Sequence, residues 1–276
     1  MSIDSQELSS PPRRLPRAGH MTNVDQAVLE RGRVATAQAP LPAEHGPRLR
    51  QKRVRPANWV LNATAAVTGT LLALFVTIHM VGNLKVFAGA DAFNSYAHWL
   101  RVVGYPLLPE MSLLWIVRFV MAGAIILHIW ATLLIRYRGA KQRGARRSPM
   151  MRAGSIISRL MLTTGLVLLV FIIIHILDLT TGHINGSFLS PTATESFAYE
   201  NLIASFQRPL FAGVYVFSML ALAAHLIHGL WLIATDLGIT GGRIRPIWKA
   251  VGYSLGVVVA AVNLSIPVAV QLGVLA

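Results

Sequence analysis

Residues 154–178 read GSIISRLMLTTGLVLLVFIIIHILD, and this stretch decides the architecture. Only Arg159, His175 and Asp178 interrupt a run of apolar and small residues. A bilayer core about 30 Å thick is crossed by about 20 such residues. They must be helical, because lipid offers no water to satisfy open backbone groups. Four more stretches have this character, near 57–84, 112–135, 209–235 and 247–275. The expected fold is therefore an all-α integral membrane protein, a bundle of five transmembrane helices. Composition agrees: 54% of the 276 residues are hydrophobic and only 13% are charged. A soluble domain carries roughly 25% charged residues. Mean hydropathy is +0.55.

Each of the first four spans carries one regularly placed histidine, His79, His128, His175 and His225, at separations of 49, 47 and 50 residues. An ionisable side chain in lipid is costly and usually functional. Imidazole is a good axial ligand for haem iron, so four of them suggest two cofactors, each gripped from both sides. Depth sorts the four into pairs. A helix rises about 1.5 Å per residue. His128 lies eight residues before Arg136 and His225 eleven before Asp236, at one inner level. His79 comes 24 residues after Arg55 and His175 comes 23 after Arg152, at one outer level. The pairs are thus His128 with His225 and His79 with His175, their levels about 15–20 Å apart.

Inner and outer follow from charge. Arg48, Arg50, Lys52, Arg53 and Arg55 precede span one, and Arg136, Arg138, Lys141, Arg143, Arg146, Arg147 and Arg152 join spans two and three. Arg243, Arg245 and Lys249 join spans four and five, whereas the two other loops hold only Lys85, Arg101 and Arg208. By the positive-inside rule the N-terminus is cytoplasmic and the C-terminus outside. The net charge of +14 lies at the ends of apolar runs, which excludes a soluble nucleic-acid-binding face. Residues 1–55 form a basic, proline-bearing extension expected to be disordered, either a solvated tail or a docking arm, before a membrane domain at 56–276. No stretch has the form of a cleavable signal peptide. The chain has no cysteine, so any iron–sulfur cluster in its pathway sits on a partner.

Further residues fit two cofactors. Gly69 and Gly165 each lie ten residues before a histidine, at the depth of the inner pair. They either let a macrocycle edge approach the backbone or serve ordinary helix packing. Arg118 near the outer level and Arg159 nearer the inner one are candidate partners for haem propionates, although Arg159 can equally snorkel to the interface. His228 follows His225 by three residues on nearly the same face, and either could ligate. With His225 as ligand, Gly229 falls one turn on. Gly252 and Gly256 form a GxxxG in span five, a packing motif. Trp59 and Trp248 read as inner and Trp115 as outer interface residues. His20, His45, His98 and His183 fall outside the spans and read as surface histidines.

This constellation resembles the cytochrome b subunit of succinate dehydrogenases and fumarate reductases, in the bacterial type with one large anchor and two haems. The carriers are the five-span layout, His79-Met-Val-Gly-Asn83, Arg118 with His128, His175, and His225-xxx-Gly229-Leu-Trp231. The likeness covers roughly residues 55–275, and the long basic N-terminus and His228 depart from the pattern. The resemblance implies two b-type haems, His79 and His175 on one iron and His128 and His225 on the other, with His228 no ligand. It implies a flavoprotein (FAD) and an iron–sulfur subunit on the cytoplasmic side, and a quinone, menaquinone rather than ubiquinone, as electron acceptor in a bacterial plasma membrane. Assembly into a higher oligomer of the complex remains open. Glu110, Asp178 and His183 are the candidates for proton handling at an outer quinone site, with solvation at the interface as the alternative reading of each. Two rivals remain: the cytochrome b anchor of a formate dehydrogenase or hydrogenase type complex, and a haem-free transporter. The latter calls for broken, proline-interrupted spans.

Overall fold

The long helices form where the apolar stretches are, and what joins them is more structured than the sequence suggests. The computed structural model describes residues 56–141, 149–239 and 241–276, with backbone alone over 149–158. The N-terminal extension and the loop residues Arg143, Arg146 and Arg147 lie outside the described residues. Helices α1 (Asn58–Asn83), α3 (Ser112–Lys141), α4 (Pro149–His175), α6 (Pro209–Asp236) and α7 (Ile244–Gln271) are the five expected spans. All five are long and apolar enough to cross a membrane. Two shorter helices, α2 (Ala90–Val102) and α5 (Ala198–Phe206), lie in the stretches read as loops. Among the described residues there is no strand.

Several span boundaries differ from expectation: the second span runs on to Lys141 and the third begins at Pro149, and three other ends have a local reason. The first span continues through a 3₁₀ turn, Leu84–Ala88, until Gly89 at φ 93° turns the chain. The third continues through a π turn, Ile176–Thr180, closed by the Thr181 amide on the Ile176 carbonyl at 2.9 Å. The fifth stops at Gln271 because Gly273, at φ 70°, ends the helix as a left-handed cap.

The helices pack as two antiparallel pairs, α1 with α3 and α4 with α6, which meet chiefly through α1 and α6. Helix α7 lies along α6 and also touches α1. Glycine lines the α6–α7 contact. A Cβ on Gly252 would sit 3.5 Å from the Ile227 carbonyl, and one on Gly256 only 2.4 Å from Ile227 Cγ1. The GxxxG is thus a packing seam, as read from the sequence. Outward faces carry large apolar side chains such as Phe119, Leu166 and Phe217, the surface that lipid requires.

The two levels of the bundle are finished differently. At the end of α3, Arg138 Nη1 donates to the Pro56 carbonyl and to Asn58 Oδ1, both at 2.7 Å, tying that end to the start of α1. At the opposite end α2 and α5 form a cap. Phe93, Leu202, Ile203 and Phe206 join Val86, Tyr215, Ile266 and Val270 in one buried apolar cluster. Polar bonds hold the cap in place: Asn94 Nδ2 donates to Glu200 Oε2 at 2.9 Å and the Tyr199 amide to Asn94 Oδ1 at 2.9 Å. Asn201, itself buried, accepts from the Leu189 amide at 2.7 Å.

Candidate functional site

The four histidines meet in two pairs. At the outer level the rings of His79 and His175 stand 5.9 Å apart, centroid to centroid, with planes at 82°. His79 also stacks on Phe75, one turn earlier, at 5.6 Å. At the inner level His128 of α3 and His225 of α6 lie near one another. The vertical separation is visible in the backbone. Gly69, ten residues before His79, faces His128, and Gly165, ten residues before His175, faces His225. Ten residues of helix span about 15 Å.

At those two glycines, read above as room for a macrocycle edge or as helix packing, an imidazole comes close. A Cβ on Gly69 would stand 3.2 Å from His128 Cε1, and one on Gly165 would stand 3.4 Å from His225 Cε1. In this structure each glycine makes room for the imidazole of the helix paired with its own. Beside each glycine is a threonine. Thr68 Oγ1 lies 3.1 Å from His128 Nδ1, and Thr164 Oγ1 lies 3.1 Å from His225 Nδ1. Helix α1 therefore cradles a histidine of α3 just as α4 cradles one of α6. His225 occupies this cradle; His228, three residues on, is half-buried. A side chain on Gly229 would meet nothing within 4 Å.

The outer pair touches a charged network. His175 Nδ1 lies 3.3 Å from the Tyr215 hydroxyl, which donates to Asp178 Oδ2 at 3.1 Å. Ser205 Oγ also donates to Asp178 Oδ2, and Arg208 Nη2 to Asp178 Oδ1 in an ion pair. The π turn after His175 moves Asp178 off the face it would hold in a regular helix and toward α5 and α6. Asp178 is 0% exposed, so the interface-solvation reading of this residue gives way. Its charge is matched by Arg208, which also reaches the Ile184 carbonyl at 2.7 Å. Phe171 and Phe206 meet the Tyr215 ring edge-on, at 5.0 and 4.7 Å.

The remaining candidates stand apart from the pairs. Glu110 is exposed, and so is His183, whose Nδ1 lies 2.7 Å from Thr181 Oγ1. Arg118 is exposed with its guanidinium over the Trp115 ring at 4.8 Å, and Arg159 is exposed. His98 differs from its surface reading: Nδ1 is buried and has no hydrogen-bond partner among the described residues.

Residues 136–265 match the family model described as the succinate dehydrogenase/fumarate reductase transmembrane subunit. Over that stretch the chain is similar to this family. Comparisons with curated proteins and with solved structures give no match. The family region contains one histidine of each pair, His175 and His225, together with Thr164, Gly165 and the whole Asp178 network.

Sequence reasoning missed Thr68, Thr164, Tyr215, Ser205 and the pairing role of Arg208. For the threonines a signal existed. Thr68-Gly69-x9-His79 and Thr164-Gly165-x9-His175 are the same pattern in spans one and three. No such repeat marks Tyr215, whose partner Asp178 is 37 residues away.

Proposed function

We propose that the chain is the two-haem cytochrome b anchor of a succinate:quinone oxidoreductase. It relays electrons from a cytoplasmic flavoprotein and iron–sulfur pair to membrane quinone. The observation that carries this reading is the pairing of four span histidines at two heights. The donor set fits haem. Imidazole nitrogens sit about 2 Å from a bound first-row metal, so two of them facing one ion place their ring centroids about 6 Å apart. The outer rings stand at 5.9 Å. Among the described residues no group of three or more histidine, cysteine, aspartate or glutamate side chains converges, so a protein-built tetrahedral metal site has no support there. His79 and His175 would hold the outer haem, and His128 and His225 the inner one. Held there, each haem would supply a one-electron carrier.

The chain's own residues then have separable tasks. Histidines hold the irons, and Gly69 and Gly165 let the inner histidines approach α1 and α4. Gly229 leaves space one turn beyond His225, and Arg118 and Arg159 are the candidate cations for propionates. Quinone reacts at the outer level, where Asp178 connects to His175 through Tyr215 and Glu110 and His183 supply exposed proton-handling groups. Menaquinone is the expected acceptor, in a bacterial plasma membrane with the N-terminus cytoplasmic and the C-terminus outside. The basic inner ends dock the cytoplasmic partners. The family match favours this complex over the formate dehydrogenase and hydrogenase anchors. Against the transporter reading, the only proline deep inside a described helix is Pro267, in the histidine-free α7.

Pyridine-haem quantification on the purified complex tests the proposal. Two haems per chain are expected, with a succinate-oxidising flavoprotein co-purifying. A colourless complex would sink it.

A further inference from the structure

Three of the four paired histidines share one feature that ligand geometry alone does not require: their Nδ1 atoms face a hydroxyl whose own proton is already committed. Thr68 Oγ1 donates to the Thr64 carbonyl at 2.6 Å, and Thr164 Oγ1 donates to the Leu160 carbonyl at 2.8 Å. The Tyr215 hydroxyl donates to the Asp178 carboxylate at 3.1 Å. A hydroxyl has one proton to give. Each of these oxygens can therefore only accept from the histidine, which must carry its proton on Nδ1. A neutral imidazole protonated on Nδ1 has its lone pair on Nε2.

We infer that Thr68, Thr164 and Tyr215 are positioning residues that hold His128, His225 and His175 as Nδ1–H tautomers, so that Nε2 of each is the metal-facing nitrogen. The inference rests on the haem reading above and extends it to the residues that set ligand strength. It assigns a shared role to residues on three different helices. The glycine beside each threonine is part of the device, since a Cβ at 69 would crowd the ring that the hydroxyl must reach and one at 165 would touch it. His79, stacked on Phe75, serves as the internal comparison.

A hydrogen bond accepted from Nδ1–H makes the imidazole a more basic ligand. A more basic ligand stabilises ferric over ferrous iron. Removing the acceptor should raise the midpoint potential of that haem and leave the other in place. Loss of such a partner commonly weakens a metal site by about tenfold or more, and a tenfold change in a one-electron equilibrium is about 59 mV.

The experiment is an optical redox titration of the whole purified complex carrying Thr68→Val, Thr164→Val or Tyr215→Phe, with ferric low-spin EPR as a second readout. The two titrating components are assigned by the complex carrying His128→Ala. Expected is an upward shift of the inner component in the threonine variants and of the outer component in Tyr215→Phe. Thr68→Ser and Thr164→Ser keep the acceptor and should titrate like the parent. If a valine variant fails to assemble while its serine counterpart assembles, the hydroxyl is required and the inference stands. If valine and serine variants titrate alike with unchanged g-values, or both fail, the position is a packing site and the inference is overturned. A parent complex without haem would instead defeat the functional proposal itself, a separate and visible outcome.

Discussion

At the inner level each histidine leans on a threonine of the neighbouring helix, whereas at the outer level His175 leans on a tyrosine tied to a buried ion pair. The difference follows depth. A threonine brings almost no penalty into lipid, because its hydroxyl is satisfied by the carbonyl one turn back in its own helix. A charge at that depth would be expensive. Near the outer end water is close. Arg208 keeps 30% of its side chain exposed while Asp178 is fully covered, so an ion pair can form there with one foot in solvent. The inner level is thus built by packing and neutral acceptors, the outer by a charged network under a helical cap.

The sharpest way to break this comparison is to remove ligands one level at a time. His128→Ala or His225→Ala should cost the inner haem and halve the haem content of the purified complex. His79→Ala or His175→Ala should do the same for the outer haem. Retention of full content in all four would end the two-level description. His228→Ala should keep both haems, because His225 and not His228 faces Thr164.

Next in size is the ion pair. Asp178→Ala leaves the Arg208 guanidinium without its carboxylate and removes the acceptor of both Ser205 and Tyr215. Breaking one side of a buried pair costs about 3–5 kcal/mol. Thermal unfolding of the detergent-solubilised complex should show the loss, and the outer haem should be released before the inner. Asp178→Asn, which keeps the shape but not the charge, should fall between parent and Ala. It cannot report on quinone turnover alone, since it also disturbs the pair. An unchanged melting curve for Asp178→Ala would mean that the network does not support the outer level.

How much of this contrast was legible in the chain depends on the range of the interaction. The five spans and the GxxxG seam follow from signals within a single stretch, the histidine pairs from depth counted along each span, and lipid leaves the backbone no choice but helix. The caps do not. Helices α2 and α5 are short and amphipathic, and hold together through Asn94 and Glu200, which are 106 residues apart. No local pattern in either segment announces the other. The surroundings of Asp178 were not legible for the same reason. Three residues beyond a membrane histidine it reads as a proton-handling candidate or a solvated interface group, and only the fold brings Arg208 and Ser205 over it. The role of Gly69 and Gly165 was half legible: their depth was right, but which group approached them depended on how α1 meets α3 and α4 meets α6.

The inner level should be the one most sensitive to packing. Gly256 of α7 lies against Ile227 and the Ala223 carbonyl, the residues flanking His225 on α6. A Cβ there would stand 3.3 Å from that carbonyl, so the helices must separate. Gly256→Val should destabilise by about 1–3 kcal/mol, the usual range for overpacking. Thermal release of the inner haem at lower temperature, with the outer unaffected, is the expected readout. Equal loss at both levels would mean that α7 braces the whole bundle rather than the His225 layer.

The smallest expected effect isolates what the charge contributes at the outer end. Asn83, which closes α1 four residues after His79, donates through Nδ2 to Asn263 Oδ1 of α7 at 3.0 Å. Asn263 in turn donates to the Val259 carbonyl at 2.8 Å, so the pair is neutral and satisfied from within. Interhelical hydrogen bonds of this kind in membranes average about 0.6 kcal/mol. Asn83→Ala should therefore lower stability by about that amount, several times less than Asp178→Ala. If the two variants melt alike, the outer level owes its hold to polar contact in general. The charge of Asp178 then has no special part in it.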